Sequence, residues 1–303
     1  MTTVSTSAFY DRSNSQLSAL RKQSERLQSQ IGSGQRLGSS SDDPVAAARL
    51  RQLDRRASLT AVDKNNSDRA ETNLNLSDQA ISGMANLVVR AKELAVQAAN
   101  GTLSDKQKAS IGGEIASIRD GLITLANSRD ANGNALFGGL TGGQAYQAAG
   151  SGATYVGTTS VPTTNLGAGQ TVVESVPGPD LFDFTHQGSG TNLFNLLGNL
   201  ADALTTGGAV ATAAASDALG GLDTGLDKLT TSQTVVGTRL AWIDTVAERR
   251  IERSELDANE QFTVGGADLA ASISKLQQTM TVLEASQASF VKLANLSLFD
   301  ILR

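Results

Sequence analysis

YDRSNSQLSALRKQSERLQSQI, residues 10–31, decides how the rest of the chain is read. Tyr10, Leu17, Leu20, Leu27 and Ile31 fall on an alternating three- and four-residue register, with Ser13 and Ser24 in the intervening slots. That spacing draws one narrow apolar stripe along a helix, the pattern of a coiled-coil seam. A second stretch of the same kind, LAASISKLQQTMTVLEASQASFVKLANLSL at 269–298, stands at the far end of the sequence. There Leu269, Ile273, Leu276, Met280, Leu283, Phe290 and Ala294 hold the alternation, with Gln287 in register. A stripe so narrow is buried most simply against another like it. The two ends are therefore expected side by side, with everything between them as an excursion.

Composition sets the class. At 303 residues the chain has length for about two domains, but it is 4% aromatic, with one Trp and four Pro, which argues against a large compact core. A net charge of -5 and a pI near 5.0 argue against a nucleic-acid surface, which needs clustered Lys and Arg. Arg49, Arg51, Arg55 and Arg56 do cluster, yet Asp42, Asp43 and Asp54 interleave them and no aromatic does. This reads as a solvated helix face or a salt-bridged subunit contact. With no cysteine, disulfide and thiol chemistry are excluded. No apolar run has the length of a membrane span, and MTTVSTSAFYDRSNSQL lacks the basic-then-apolar layout of a cleaved secretory signal.

Outward from the terminal stripes, two breaks mirror each other: GSGQRLGSSSD at 32–42, a Gly/Ser-rich joint, and Gly265–Gly266. Asp43 followed by Pro44 is an N-cap with proline at the first helical position. A helix is expected from Pro44 to about Asn100–Gly101, where Leu74, Ile81, Met84, Val88 and Ala91 keep the spacing. Ser104 and Gln107 form a capping-box pattern ahead of Ile111, Ile115, Ile118, Leu122 and Leu125, and that helix is expected to stop at Ala131, Asn132 and Gly133. From Leu136 to about Gly190 the composition turns to Gly, Thr, Val and Pro. ATYVGTTSV (153–161) and TVVESV (171–176) read there as strands. Helical spacing returns from Leu219 through Ile243 to about Phe262.

The fold class is thus mainly α: an elongated coiled coil or helix bundle formed by the N- and C-terminal segments, with a small β-rich inserted domain. The expected regions are 1–40 plus 265–303 for the terminal coiled coil, 41–135 plus 200–264 for the long-helix bundle, and 136–199 for the insertion.

IGSGQRLGSSSDDPVAAARL (31–50) resembles the N-terminal signature of bacterial flagellins and their hook–filament relatives. AKELAVQAANGTLSD (91–105) resembles the family's stretch joining the first two long helices, and ANSRDANGNALFGG (126–139) the turn that leaves the bundle. Two branches share these ends. TYVGTTSV, GAGQTVV and GPDLFDF in the insertion and the terminal SLFDILR favour the hook–filament junction branch. A flagellin, or a flagellin-like surface protein that binds glycans, is the alternative. The resemblance implies an extracellular structural subunit exported by flagellar type III secretion. It implies as partners hook-associated protein 1, flagellin, further copies of itself, and an export chaperone at the C-terminal helix. The residues expected to carry assembly are Leu17, Leu20, Leu27, Ile31, Leu276, Leu283 and Phe290.

No catalytic, cofactor or metal site is expected. His186 is the only histidine, in a Gly-rich loop. Gly32, Gly34 and Gly38 lack the following Lys-Ser/Thr of a phosphate loop and read as a flexible joint. The pairs Asp42–Asp43, Asp180–Asp183 and Glu252–Glu255 fit caps, turns and an exposed helix face better than acid–base chemistry.

Overall fold

The computed structural model describes the backbone of residues 6–301 and the side chains of residues 8 and 10–292. Ala294 and the SLFDILR segment lie outside the residues whose side chains are described. The architecture is mainly helical with a few short strand pairs. Its long helices are α1 (Thr6–Ser33), α2 (Pro44–Ala98), α3 (Asp105–Ala126), α6 (Gly208–Gly265) and α7 (Leu269–Ile301). Between α3 and α6 come β1 (Tyr146–Ala149), β2 (Gly152–Tyr155), β3 (Thr163–Gly167), β4 (Gln170–Val173), α4 (Gly178–Phe182), β5 (Asp183–His186), β6 (Ser189–Asn192) and α5 (Leu193–Thr206). The chain divides into two compact units, residues 1–59 with 252–303, and residues 60–251.

Several boundaries follow from the capping chemistry read above. Asp43 Oδ1 accepts the Ala46 amide at 3.0 Å, starting α2. Ser104 and Gln107 form the reciprocal box: the Ser104 amide donates to Gln107 Oε1 at 2.9 Å and the Gln107 amide to Ser104 Oγ at 3.4 Å. The stop of α3 differs from expectation. The helix ends at Ala126, and Asn127 turns the chain by clamping the next strand, its Oδ1 accepting the Ala145 and Tyr146 amides at 2.9 Å. Asn132–Gly133 then sits at the tip of a tight loop closed by an Arg129–Ala135 bridge, with Gly133 at φ 85°. Asp130 supports that loop, its Oδ1 accepting the Asn132 and Asn134 amides.

In the larger unit the strands form three separate antiparallel hairpins, β1–β2, β3–β4 and β5–β6. The two expected strands are therefore each paired with a sequence neighbour rather than with one another. Helix α5, absent from the sequence reading, lies on α3 and completes the core. Its approach depends on missing side chains. A Cβ at Gly112 of α3 would stand 2.9 Å from the Ala201 carbonyl oxygen, and one at Gly225 of α6 would stand 2.0 Å from Leu193 Cδ1. The few aromatics collect beside α5, where Tyr146, Phe182 and Phe194 have ring centroids 4.6–5.2 Å apart.

Candidate functional site

The smaller unit holds every residue singled out for assembly. Helices α1 and α7 pack along their length. They run antiparallel, since Gln35 bridges Gly266 at one end while Tyr10 and Phe290 meet edge-on at 5.4 Å at the other. On α1 the covered positions include Ser13, Leu17, Leu20, Ser24, Leu27 and Ile31, with Ser24 and Leu27 fully buried and the rest half-buried. On α7 they are Ser272, Leu276, Thr279, Leu283, Ser286, Gln287 and Phe290, so Gln287 keeps its expected place in the register. Leu17, Leu20, Leu27, Ile31, Leu276, Leu283 and Phe290 are thereby brought onto one seam.

Half of the α7 register needs correction. Leu276, Leu283 and Phe290 occupy the seam, but the alternate positions are Ser272 and Thr279 rather than Ile273 and Met280. Thr279 is 6% exposed, whereas Leu269, Ile273 and Met280 are 46%, 44% and 43% exposed. Small side chains at the contact let two backbones approach closely, and Ser13 and Ser24 play the same part on α1. The displaced apolar residues, joined by Val291 at 56% exposure, form a second stripe along one flank of α7 that stays exposed among the described residues. The outer face of α1 is polar, with Arg12, Gln16, Arg21, Lys22 and Gln23 exposed.

The joint at 32–42 is hydrogen-bonded to the break after α6, where the sequence suggests a free linker. The Arg36 amide donates to the Gly265 carbonyl at 2.7 Å, its guanidinium to the Val264 carbonyl at 3.0 Å, and the Ala267 amide to the Gly34 carbonyl at 2.9 Å. Arg36 also pairs with Asp43 at 3.1 Å. Gly34 serves by its φ of 68°, a conformation that closes α1 where a Cβ would be strained. Asp268 caps α7 through the Ala271 amide at 3.0 Å. Beyond the joint, Arg49 binds Glu260 with both ends of its guanidinium and Arg56 binds Asp257 at 2.6 Å. Two members of the basic cluster are thus neutralised within the chain. An open pocket of about 430 Å³ lies under the joint, floored by Leu37, Leu50 and Phe262.

The charge arrangement sets a pH response. The Ser39 and Gly38 amides hold the Asp42 carboxyl below its ordinary 3.8, and the Ala46 amide followed by the Arg36 guanidinium does the same for Asp43. A carboxylate whose pKa falls on folding contributes stability that is complete above its unfolded value and is lost as pH drops through the folded value. The joint should therefore hold at neutral pH and open only in acid. In an NMR titration the Gly38, Ser39 and Ala46 amide protons should shift with midpoints below 3.8. Midpoints at or above that value would mean that the bonds are not made in solution.

The remaining sequence candidates are placed elsewhere. His186 ends β5 beside Gly221 of α6, whose added Cβ would stand 3.3 Å from the imidazole Nδ1. Gly32, Gly34 and Gly38 belong to the joint. Asp42 and Asp43 are spent on turn and cap amides. Glu252 and Glu255 are exposed on α6. Among the described residues no helix is long and apolar enough to cross a membrane.

Residues 4–142 match the bacterial flagellin N-terminal helical region. Flagellar hook-associated protein 3 of Salmonella typhimurium is 28% identical, over 99% of this chain and 99% of its own length. The flagellin of Listeria monocytogenes is 31% identical over 42% of this chain and 46% of its own. Among solved structures, the flagellar junction protein FlgL from Legionella pneumophila shares the fold with a TM-score of 0.60 at 15% identity, covering 72% of this chain and 99% of that one.

Proposed function

We propose that the chain is a member of the bacterial flagellin superfamily, a structural subunit of the flagellum that acts as the adapter between hook and filament. The observation that carries this reading is the end-to-end sequence match with hook-associated protein 3, insertion included, against flagellin sequence matches confined to less than half of the chain. The adapter is a scaffold rather than an enzyme, and works through its surfaces.

In this reading the terminal regions 1–40 and 265–303 make the assembly contacts, 41–135 with 200–264 forms the supporting bundle, and 136–199 faces outward. Leu17, Leu20, Leu27, Ile31, Leu276, Leu283 and Phe290 order the two terminal helices against each other. That seam is thin, because most of its apolar members are only half-buried. Fully burying a Leu or Phe is worth roughly 1.5–3 kcal/mol. A substantial part of that stabilisation is therefore still available when neighbouring subunits cover the outer sides and the Leu269–Ile273–Met280–Val291 flank. Ordering of the ends is thus coupled to assembly. The contacts are heterologous, the kind that closes into a ring or runs on as a filament. Hook-associated protein 1 is the partner on the hook side and flagellin on the filament side. An export chaperone covers the C-terminal helix before the chain leaves the cell through the flagellar secretion channel, which a cysteine-free chain suits.

Addition to purified flagellar intermediates tests this. The protein should bind hook stubs that already carry hook-associated protein 1 and should then permit flagellin to elongate. Unaided growth on filament seeds would instead make it a flagellin.

A further inference from the structure

Two Asn-Gly pairs occur in the sequence, Asn100–Gly101 and Asn132–Gly133, and their surroundings differ in a way that bears on reactivity. Asn-Gly is the pair in which a main-chain nitrogen can most freely reach the preceding side-chain amide, because no Cβ obstructs the approach. Both pairs are exposed, and a Cβ built on either glycine meets nothing within 4 Å, so neither is shielded by packing.

The first pair lies in the turn between α2 and α3. Asn100 Oδ1 accepts two hydrogen bonds from Thr102, from the amide at 3.1 Å and from the hydroxyl at 2.9 Å. The Asn100 amide is anchored to the Gln97 carbonyl at 3.2 Å, while the Gly101 amide donates to no group among the described residues. The side-chain carbonyl is thus polarised by two fixed donors, and the neighbouring nitrogen is free. In the second pair the relation is reversed. The Gly133 amide is tied to the Asp130 carbonyl at 3.0 Å, and no donor reaches the Asn132 side chain among the described residues.

We propose that Asn100–Gly101 is a self-modifying site, at which the Asn100 side chain deamidates with Thr102 supplying the oxyanion donors. Solvent hydroxide removes the Gly101 amide proton, and the nitrogen forms a bond to Asn100 Cγ. The charge of the tetrahedral intermediate falls on Oδ1, the atom that both Thr102 donors already hold. The Cγ–Nδ2 bond then breaks and ammonia leaves, taking a proton from water. Water opens the resulting succinimide at either carbonyl and gives aspartate or isoaspartate. The net change is the amide plus water to the acid plus ammonia. The product places a new negative charge in the turn, and the iso form adds one main-chain carbon four residues ahead of Ser104, the N-cap of α3.

The test is incubation of the full-length protein in mildly alkaline buffer, followed by peptide mapping with mass spectrometry and isoaspartate labelling. Asn100 should convert about tenfold faster than Asn132 in the same tube, the scale expected for a free nucleophile facing a donor-held carbonyl. Thr102→Val, which keeps the shape and loses the hydroxyl, should slow Asn100 by about fivefold, and Thr102→Ser should restore most of the rate. In urea the two sites should become equivalent. A faster or equal Asn132, an unchanged T102V rate, a T102S variant no better than T102V, or a difference that persists in urea would each overturn the proposal.

Discussion

Leu20→Asp or Leu283→Asp should abolish addition of the protein to hook stubs while leaving the 60–251 unit folded. Both side chains are half-buried on the seam between α1 and α7. A carboxylate there removes the leucine's apolar contact and sets a charge against the facing stripe, at a cost of about 2 kcal/mol or more. The loss is large relative to what holds the pair. Most of a helix's stability in a protein comes from packing of its amphipathic face, and the seam's polar slots include Ser13, Ser24, Ser272, Thr279, Ser286 and Gln287, which add little apolar area. Trp242, the sole tryptophan, lies in the other unit and reports on it alone. Its emission should melt as in the parent protein, while sedimentation with hook stubs falls to background. Normal incorporation of either variant would remove these residues from the assembly role, and an altered Trp242 transition would show that the defect is global.

The same seam shows what the sequence made legible. Leu276, Leu283 and Phe290 belong to both possible α7 registers, and only the alternate positions decide between them. Hydrophobicity favours Ile273 and Met280, whereas packing takes Ser272 and Thr279, because α1 presents Ser13 and Ser24 and the pair closes on small residues. Which of two adjacent stripes faces inward depends on the partner helix, and no window of α7 contains that information. The caps at Asp43 and Ser104 were legible because each is complete within four residues. The Arg36 clasp was not, since its acceptors are the main-chain carbonyls of Val264 and Gly265, which leave no trace in residue type. Arg49 and Arg56 were visible as a cluster, but their partners Glu260 and Asp257 become neighbours only once α2 and α6 are paired.

Helix α5 carries the second large effect. LFNLLGNLADAL has a clear helical stripe, with Leu193, Leu197, Leu200, Ala201 and Leu204 buried against α3, the β1–β2 hairpin and α6 while Asn199 and Asp202 stay exposed, so its signal was present in the sequence but is short and follows directly on the Gly- and Thr-rich stretch. Its centre is Phe194, fully buried, with ring centroids 4.8 Å from Tyr146 and 4.6 Å from Phe182. Phe194→Ala should destabilise the 60–251 unit by about 3–5 kcal/mol, since the surrounding rings cannot collapse into the space. In urea, with Trp242 emission as the reading, the midpoint should drop by about 1–2 M. Two glycine variants fix the interpretation. Gly198→Ala on the same helix would bring a Cβ within 1.8 Å of the Ser151 carbonyl oxygen, an atom that also accepts Arg119 at 2.7 Å, so backbone must move. A loss of about 1–3 kcal/mol is expected there. Gly237→Ala, on an open stretch of α6 with nothing within 4 Å, should raise stability by about 0.5–1 kcal/mol through helix propensity alone. Shifts of opposite sign at 198 and 237 separate close packing of α5 from helix propensity. If Phe194→Ala leaves the midpoint unmoved, α5 is not part of the core that Trp242 reports, and the interior of this unit must be drawn without it.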